Sequence, residues 1–437
     1  MASQHKPIMK KTLQQKLAEK KFHRPNVILY KTLYKLVVKH MLEPKYNVHY
    51  TREVDINDCK GPCFLVYNHQ SRIDYVWLMG ATYPKRLNFL VGYNEFFRSH
   101  LAFILRIANV IPKKNFTLDV PAMKGIASII RQGGCVCFSP EGMSSISGHN
   151  QPAVSGTGNF LKHYGIPVYQ VEMAGAYLTN TKYCLDERKG RIDVNLKLLF
   201  SPEYLSSAEP EEIEEKLNDA LYHDDFEWNA KKQIHFDMKG RPTHDLHYLL
   251  YRCPNCGHEL CMESDDTHIH CRDCGFSATL DDTYKLHPAE GYSCPESISR
   301  WFDEERGHTY QQIKEDPERI YEFKCKIGRL PPFHYVKNMK TSEPAGEGVA
   351  IINKHGFTYE GTLMGEPVTM FLTYNEIPTF GMPVDTSYLA FYHNGEYYDL
   401  FPENGASIKM LHLLEEFGRL ATGKWPLPKA ERWIYSK

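Results

Sequence analysis

A histidine and an aspartate five residues apart, His69 and Asp74, stand where the apolar run Phe64-Leu65-Val66 gives way to Asn68-His69-Gln70-Ser71-Arg72-Ile73. Imidazole titrates near neutral pH and can take a proton from a hydroxyl, while a carboxylate on its other nitrogen fixes the tautomer and stabilises the imidazolium that forms. His69 is therefore a candidate general base and Asp74 the group that orients it. A second apolar run, Cys135 to Ser139, ends in Pro140-Glu141-Gly142-Met143-Ser144-Ser145, so two buried strands deliver polar groups to one edge. Ser71 and Asp74 also fit a capping box, with Ser71 as N-cap and the carboxylate favoured by the helix dipole alone. That reading leaves Asn68-His69 and the Pro-Glu-Gly turn unexplained.

The second chemical cluster is sulfur. Cys253-Pro-Asn-Cys256-Gly257 and Cys271-Arg-Asp-Cys274-Gly275 are separated by fourteen residues. In each pair the following glycine lets backbone amides face the sulfurs, and four thiolates at this spacing converge on a structural zinc ion. The alternative is a pair of redox dithiols, but neither sits in a βαβ pattern. His258, Cys261, His268 and His270 are neighbouring candidates to substitute as ligands. A segment of about forty residues cannot build enough core without such a staple.

The elements that must position these groups follow from hydrophobic patterning. Residues 1–45 comprise a basic arm (Lys10, Lys11, Lys16, Lys20, Lys21, Arg24) and a helix from Val27 to Leu42. Its apolar arc is Leu29, Leu33, Leu36, Val37 and Met41, beside a stripe of Lys31, Lys35 and Lys39. Such a helix either packs on its own domain or lies in the plane of an anionic membrane surface. Residues 46–245 alternate apolar runs (Cys63 to Tyr67, Cys135 to Ser139, Ile166 to Val171, Val194 to Phe200) with helical segments such as Ala122 to Arg131. That order predicts an α/β fold with a mostly parallel sheet, whose ligands bind beyond the carboxyl ends of the strands. Residues 246–290 form the zinc ribbon and 291–319 a helical linker.

Residues 320–437 read as a β-rich barrel-like domain. Its strands are Tyr321 to Ile327, Gly348 to Asn353, Phe357 to Gly361, Val368 to Thr373, Tyr388 to His393 and Glu396 to Phe401, the last two joined by an Asn394-Gly395 hairpin turn. A closing helix, Ala406 to Ala421, buries Ile408, Leu411, Leu414 and Phe417. Strands followed by one helix are similar in order to a pleckstrin-homology-like barrel; a spacer or oligomerisation module, giving a homo-oligomer, is the alternative.

The residues at the strand ends resemble those of the glycerolipid acyltransferases, which esterify lysophosphatidic acid and related acceptors. Asn68, His69 and Asp74 match that family's first signature. Val110-Ile111-Pro112-Lys113-Lys114 is similar to the second, with lysine in place of arginine. Phe138-Ser139-Pro140-Glu141-Gly142-Met143-Ser144 resembles the third, and Gly165-Ile166-Pro167-Val168 the fourth. The resemblance spans about 60 to 245. It implies that His69 deprotonates an acceptor hydroxyl, which attacks the thioester of acyl-CoA or acyl carrier protein directly. Backbone N–H groups at Ser71 or Gly142 would face the oxyanion. By the same resemblance Glu141 holds the acceptor glycerol and Lys113 its phosphate. Asn68, Arg72 and Gly142 are further substrate-binding positions, with Lys162 and His163 as additional cations. Met143-Ser144 stands where the family has Thr-Arg. Either Lys113, Lys114 or Arg72 compensates for the missing guanidinium, or the acceptor is not lysophosphatidic acid.

Composition fits this picture. The 437 residues are too many for one ordinary core, and two to four domains are expected. With 52 basic and 53 acidic side chains there is no overall bias toward nucleic acid. No stretch approaches the roughly 18–20 apolar residues that cross a bilayer, and the N-terminus lacks the apolar core of a secretion signal. The expected location is cytoplasmic, peripheral at the inner membrane surface. A non-catalytic scaffold, built around the ribbon and the β-rich domain with a degenerate front, is the rival reading.

Overall fold

The computed structural model describes residues 11–383, 385–427 and 429–435. Seven strands form the first sheet: β1 (Asn47–Arg52), β2 (Cys63–Tyr67), β3 (Leu87–Gly92), β4 (Ile111–Lys113), β5 (Cys135–Phe138), β6 (Val168–Ala174) and β7 (Arg191–Phe200). Their order is β1-β7-β6-β2-β5-β3-β4, and β6 with β7 is the antiparallel pair. The sheet is thus mostly parallel, as the sequence predicts.

Strand β2 explains why. All five of its residues are buried, because a central parallel strand is covered on both faces. Cys63, Leu65 and Tyr67 enter one core with Val76, Trp77 and Leu78 of the helix Asp74–Thr82. Phe64 and Val66 enter the opposite core with Ile126 and Ile129 of the helix Val120–Arg131. Strand β5 alternates in the same way, Cys135 and Cys137 to one side and Val136 and Phe138 to the other. Each fully buried large side chain contributes about 1.5–3 kcal/mol. The strands are held rigidly, and their carboxyl ends place His69, Asn94, Lys113 and Glu141 on one rim.

The segment expected as a zinc ribbon contains a four-stranded antiparallel sheet of β8 (Met262–Ser264), β9 (His268–Cys271), β10 (Ser277–Leu280) and β11 (Leu286–Pro288). The C-terminal sheet contains β12 (Tyr321–Arg329), β13 (Glu343–Asn353), β14 (Gly356–Leu363), β15 (Glu366–Leu372), β16 (Leu389–His393) and β17 (Glu396–Pro402). All six expected strands are present, and Asn394 and Gly395 both have positive φ, as a two-residue hairpin turn requires. The sheet order is β15-β14-β13-β12-β17-β16, antiparallel throughout. It is an open half-barrel whose two ends, β15 and β16, do not pair.

In the segment expected as a helical linker, the helix Ile298–Glu315 buries Trp301, Phe302, Arg306 and Thr309 and packs against the closing helix Ser407–Thr422. Arg306 bonds Glu415 (2.6 Å) and Glu416 (3.1 Å) inside that contact, and all three are nearly inaccessible. One continuous core runs from Met143, Ile146 and Tyr177 of the first domain through Tyr251 and Phe276 of the ribbon to Phe357 and Leu414 of the last.

The N-terminal arm is also packed. Thr12 and Gln15 form a capping box on the helix Leu13–Ala18, whose Leu13 and Leu17 share a small core with Tyr93, Phe97 and Tyr397. Lys10 lies outside the described residues. The segment Val27–Leu42 is an α-helix to Thr32 and then a π-helix. It buries Tyr30, Tyr34 and Val38, not the expected arc; Leu36 and Met41 are exposed. Lys31, Lys35 and Lys39 are exposed too. No helix among the described residues is long and apolar enough to cross a membrane.

Candidate active site

The loop after β2 is shaped by one carboxylate. Asp74, almost fully buried, accepts from Nδ1 of His69 at 2.7 Å and from the amide of Gln70 at 2.9 Å through Oδ2. Its Oδ1 accepts from the amide (2.9 Å) and hydroxyl (2.6 Å) of Ser71. The capping-box alternative therefore takes a different form. Ser71 is not the N-cap, and Asp74 at the first helical position ties down the loop and the imidazole together. With Nδ1 held, Nε2 is the nitrogen left for a substrate. The His69 side chain is 29% exposed and lines a cavity of about 960 Å³.

The loop after β5 clasps the same residue from the other side. Oε1 of Glu141 accepts from the His69 amide at 2.8 Å, and the His69 carbonyl accepts from the Ser145 amide at 2.6 Å. Glu141 is buried and also receives Asn150 Nδ2 and the Gln151 amide, both at 3.0 Å. Burial pushes its carboxyl up to about 8 against the pull of these three N–H donors. Glu141 is not among the residues that line the cavity, and its bond to the His69 amide ties the loop after β5 to the loop after β2. Asn68 is likewise internal, bonding both backbone groups of Met173 and locking the tip of β2 to β6.

Other expected positions divide the same way. Gly142, at φ +75°, lines the cavity with Met143 and Ser144, and a Cβ there would press on the Phe116 ring at 3.0 Å. Met143 also enters the shared core, which gives the residue standing in the threonine position a packing role. Lys113 lines the cavity, where burial lowers its pKa, and its Nζ donates to the carbonyls of Lys114 and Thr117. Arg72 lines it too, with Nη2 on the Leu185 carbonyl at 3.0 Å. Lys162 and His163 do not; Lys162 donates to the Ala208 carbonyl instead. The Ser71 amide donates to Asp74, and the Gly142 amide donates to the Ser139 carbonyl at 3.4 Å.

Pattern reading missed part of the wall. Lys182, 4% exposed, faces the cavity and donates to the carbonyls of Met382 and Pro383 in the C-terminal domain. Ile377, Tyr388, Phe391, Tyr392 and Tyr397 complete that side. Lys182 belongs to no motif and had no sequence signal; Asn150 and Gln151 likewise reach Glu141 only through the fold.

The exposed rim of the cavity is apolar in part, with Thr117, Ser155 and Glu376 among apolar side chains. Leu29, Ile104 and Leu118 line it while remaining exposed, Leu118 by 86%, and beside them Ile28 and Phe103 are 76% and 74% exposed.

The four cysteines meet as their spacing predicts. Their sulfurs all lie within 4.8 Å of one another, with Cys253–Cys274 at 3.6 Å and Cys256–Cys271 at 3.8 Å. A tetrahedron with metal–sulfur bonds of about 2.3 Å has edges of about 3.8 Å, so the donor set fits zinc. Gly257 and Gly275 both have positive φ, and amides of residues 255, 256 and 258 reach the first pair of sulfurs. Cys261 lies 3.5 Å from Cys271 as a fifth thiol, whereas His258 pairs with Asp273.

Comparisons with known proteins agree with the front half of the chain. Residues 43–174, the part that carries His69, Asp74 and Glu141, match the family model Acyltransferase. Among solved structures, the 1-acyl-sn-glycerophosphate (LPA) acyltransferase PlsC from Thermotoga maritima is similar at 16% identity and a TM-score of 0.35. That match covers 45% of this chain and 76% of the other. No curated protein sequence matches the chain.

Proposed function

We propose that the protein moves a fatty acyl group from a thioester donor, acyl-CoA or acyl carrier protein, to a hydroxyl of a lysophospholipid or related glycerolipid acceptor. The observation that carries this reading is the His69–Asp74 pair opening onto a large apolar cavity. Nε2 of His69 takes the hydroxyl proton as the oxygen attacks the thioester carbonyl; the carbon–sulfur bond then breaks and the thiolate leaves with that proton. Asp74 keeps Nδ1 protonated and stabilises the imidazolium between those steps. The Gly142 turn is the candidate source of N–H groups for the oxyanion. Arg72 and Lys113 supply positive charge for the polar end of the acceptor.

The exposed apolar side chains of the rim and the lysines at 31, 35 and 39 support docking on an anionic membrane surface. A lipid could then enter the cavity without crossing water. The Cys253, Cys256, Cys271 and Cys274 cluster would hold a structural zinc ion, which knits the ribbon into the shared core.

The test is release of free thiol from acyl-CoA in the presence of a panel of lysolipids, with esterified product identified by mass. His69→Ala should abolish release while leaving the melting profile intact. A scaffold would release no thiol with any acceptor.

A further inference from the structure

Among the described residues, neither Arg72 nor Lys182 of the cavity wall has an ion-pair partner. Arg72 places Nη2 on the Leu185 carbonyl, but its Nη1 is buried without any hydrogen-bond partner. Lys182, from the segment after the short helix Ala176–Thr179, has only the Met382 and Pro383 carbonyls at its Nζ. Both side chains line the same cavity as His69 and Ser71. Neither forms an ion pair with any described carboxylate. Asp385 lies within electrostatic reach of both and Asp186 of Arg72, but neither is in ion-pair contact with them, and Asp186 is paired with Arg241 at 3.1 Å. Neither cation therefore has a carboxylate in ion-pair contact among the described residues, in a site where an unpaired charge is costly. Burial, with Asp385 opposing and Arg72 adding to it, pulls Lys182 down to about 7. Lys113 has no ion-pair contact among the described residues either, but its Nζ is engaged by the Lys114 and Thr117 carbonyls.

We infer that Arg72 and Lys182 together form the subsite for a phosphate ester of the substrate, completed by the C-terminal domain through the Met382 and Pro383 carbonyls. The inference rests on the acyl-transfer reading and deepens it. It replaces the guanidinium absent at Ser144 with cations from two other loops. A planar guanidinium with a free edge and a rotatable ammonium suit the three oxygens of a phosphate monoester. The C-terminal domain then shapes the substrate site instead of merely recruiting the enzyme.

The phosphate could belong to the acceptor or to the thioester donor, and kinetics on the full chain separate them. One arm compares lysophosphatidic acid with monoacylglycerol at fixed acyl-CoA. The other compares acyl-CoA with an acyl-N-acetylcysteamine thioester at fixed acceptor. Lys182→Met should lower the preference for the phosphate-bearing member of one pair about tenfold to a hundredfold, mainly through KM, with partial recovery in Lys182→Arg. The arm that responds names the source. Unchanged preference in both arms, in folded variants, overturns the inference. Calorimetry on the unaltered protein gives a readout that survives failure of a variant to fold, or failure of acyl transfer itself. Saturable binding of glycerol 3-phosphate or of the phosphates of coenzyme A, with none of glycerol, is expected; binding of neither phosphate sinks the subsite.

Discussion

Substituting asparagine for Asp74 tests the proposed chemistry at its most constrained point. Each carboxylate oxygen serves two donors, Oδ2 the His69 ring and the Gln70 amide, Oδ1 the Ser71 amide and hydroxyl. An amide has one oxygen, so either orientation sets its NH₂ against a buried backbone N–H. Leaving that donor unsatisfied costs about 1–3 kcal/mol. If the new oxygen faces Ser71, the NH₂ donates to Nδ1 and forces the proton onto Nε2, which can then no longer accept one. If it faces His69, the tautomer survives but the imidazolium loses its counter-charge. The equivalent change in a serine-protease triad costs about 10⁴ in kcat, or roughly 5 kcal/mol of transition-state stabilisation. Asp74→Asn should therefore lose about 10³ to 10⁴ in thiol-release rate and about 1–3 kcal/mol of stability. The rate is followed with a thiol-reactive dye and the fold by chemical denaturation. A folded variant within tenfold of the parent rate would refute the base assignment.

Three further outcomes are expected. Purified protein should carry one zinc ion per chain by elemental analysis, and removing it with a chelator should lower Tm by about 5 °C or more; an unmetallated protein of equal Tm contradicts the ribbon reading. Burial raises Asp399 from 3.8 to about 6. The native state therefore holds this proton more tightly than the unfolded chain, and stability is lost as pH climbs from about 4 through about 6. Asp399→Asn, which retains an acceptor for Thr341, should gain up to about 2–3 kcal/mol above pH 6 and nothing below pH 4; equal Tm values at pH 8 would exclude this. At the cavity mouth, Leu118→Asp should weaken co-sedimentation with anionic vesicles about tenfold or more, since burying a leucine is worth about 1.5–3 kcal/mol. Undiminished binding means that the membrane docks elsewhere.

What could be read from the chain alone depended on range. The six C-terminal strands were legible because alternation such as Phe357 and Tyr359 inward is a local pattern. His69 and Asp74 were legible because the fold brings together groups already five residues apart. Glu141 shows the limit. Its position at the end of β5 follows from the apolar run, but its direction is set by Asn150, Gln151 and the His69 amide, which no spacing reveals. In the segment from Val27 the period disclosed an amphipathic helix, yet Tyr30, Tyr34 and Val38 form its buried face because aromatic rings fill the gap over Trp77 and Leu87. Thr12 and Gln15 did announce a helix start in what read as a polar arm. Lys182 and the continuity of the core across modules are products of tertiary contact, which periodicity does not encode.

Met143 links the two halves of the molecule: it sits beside the reaction cavity and in the interior common to the ribbon and the last sheet. Cutting the polypeptide after residue 245 would strip Met143, Ile146, Tyr177 and Phe226 of their partners and wet the turn that steadies His69. A self-standing front fragment of this protein is therefore not to be had by trimming, and whatever loosens the cysteine cluster at one end will be felt by the imidazole at the other.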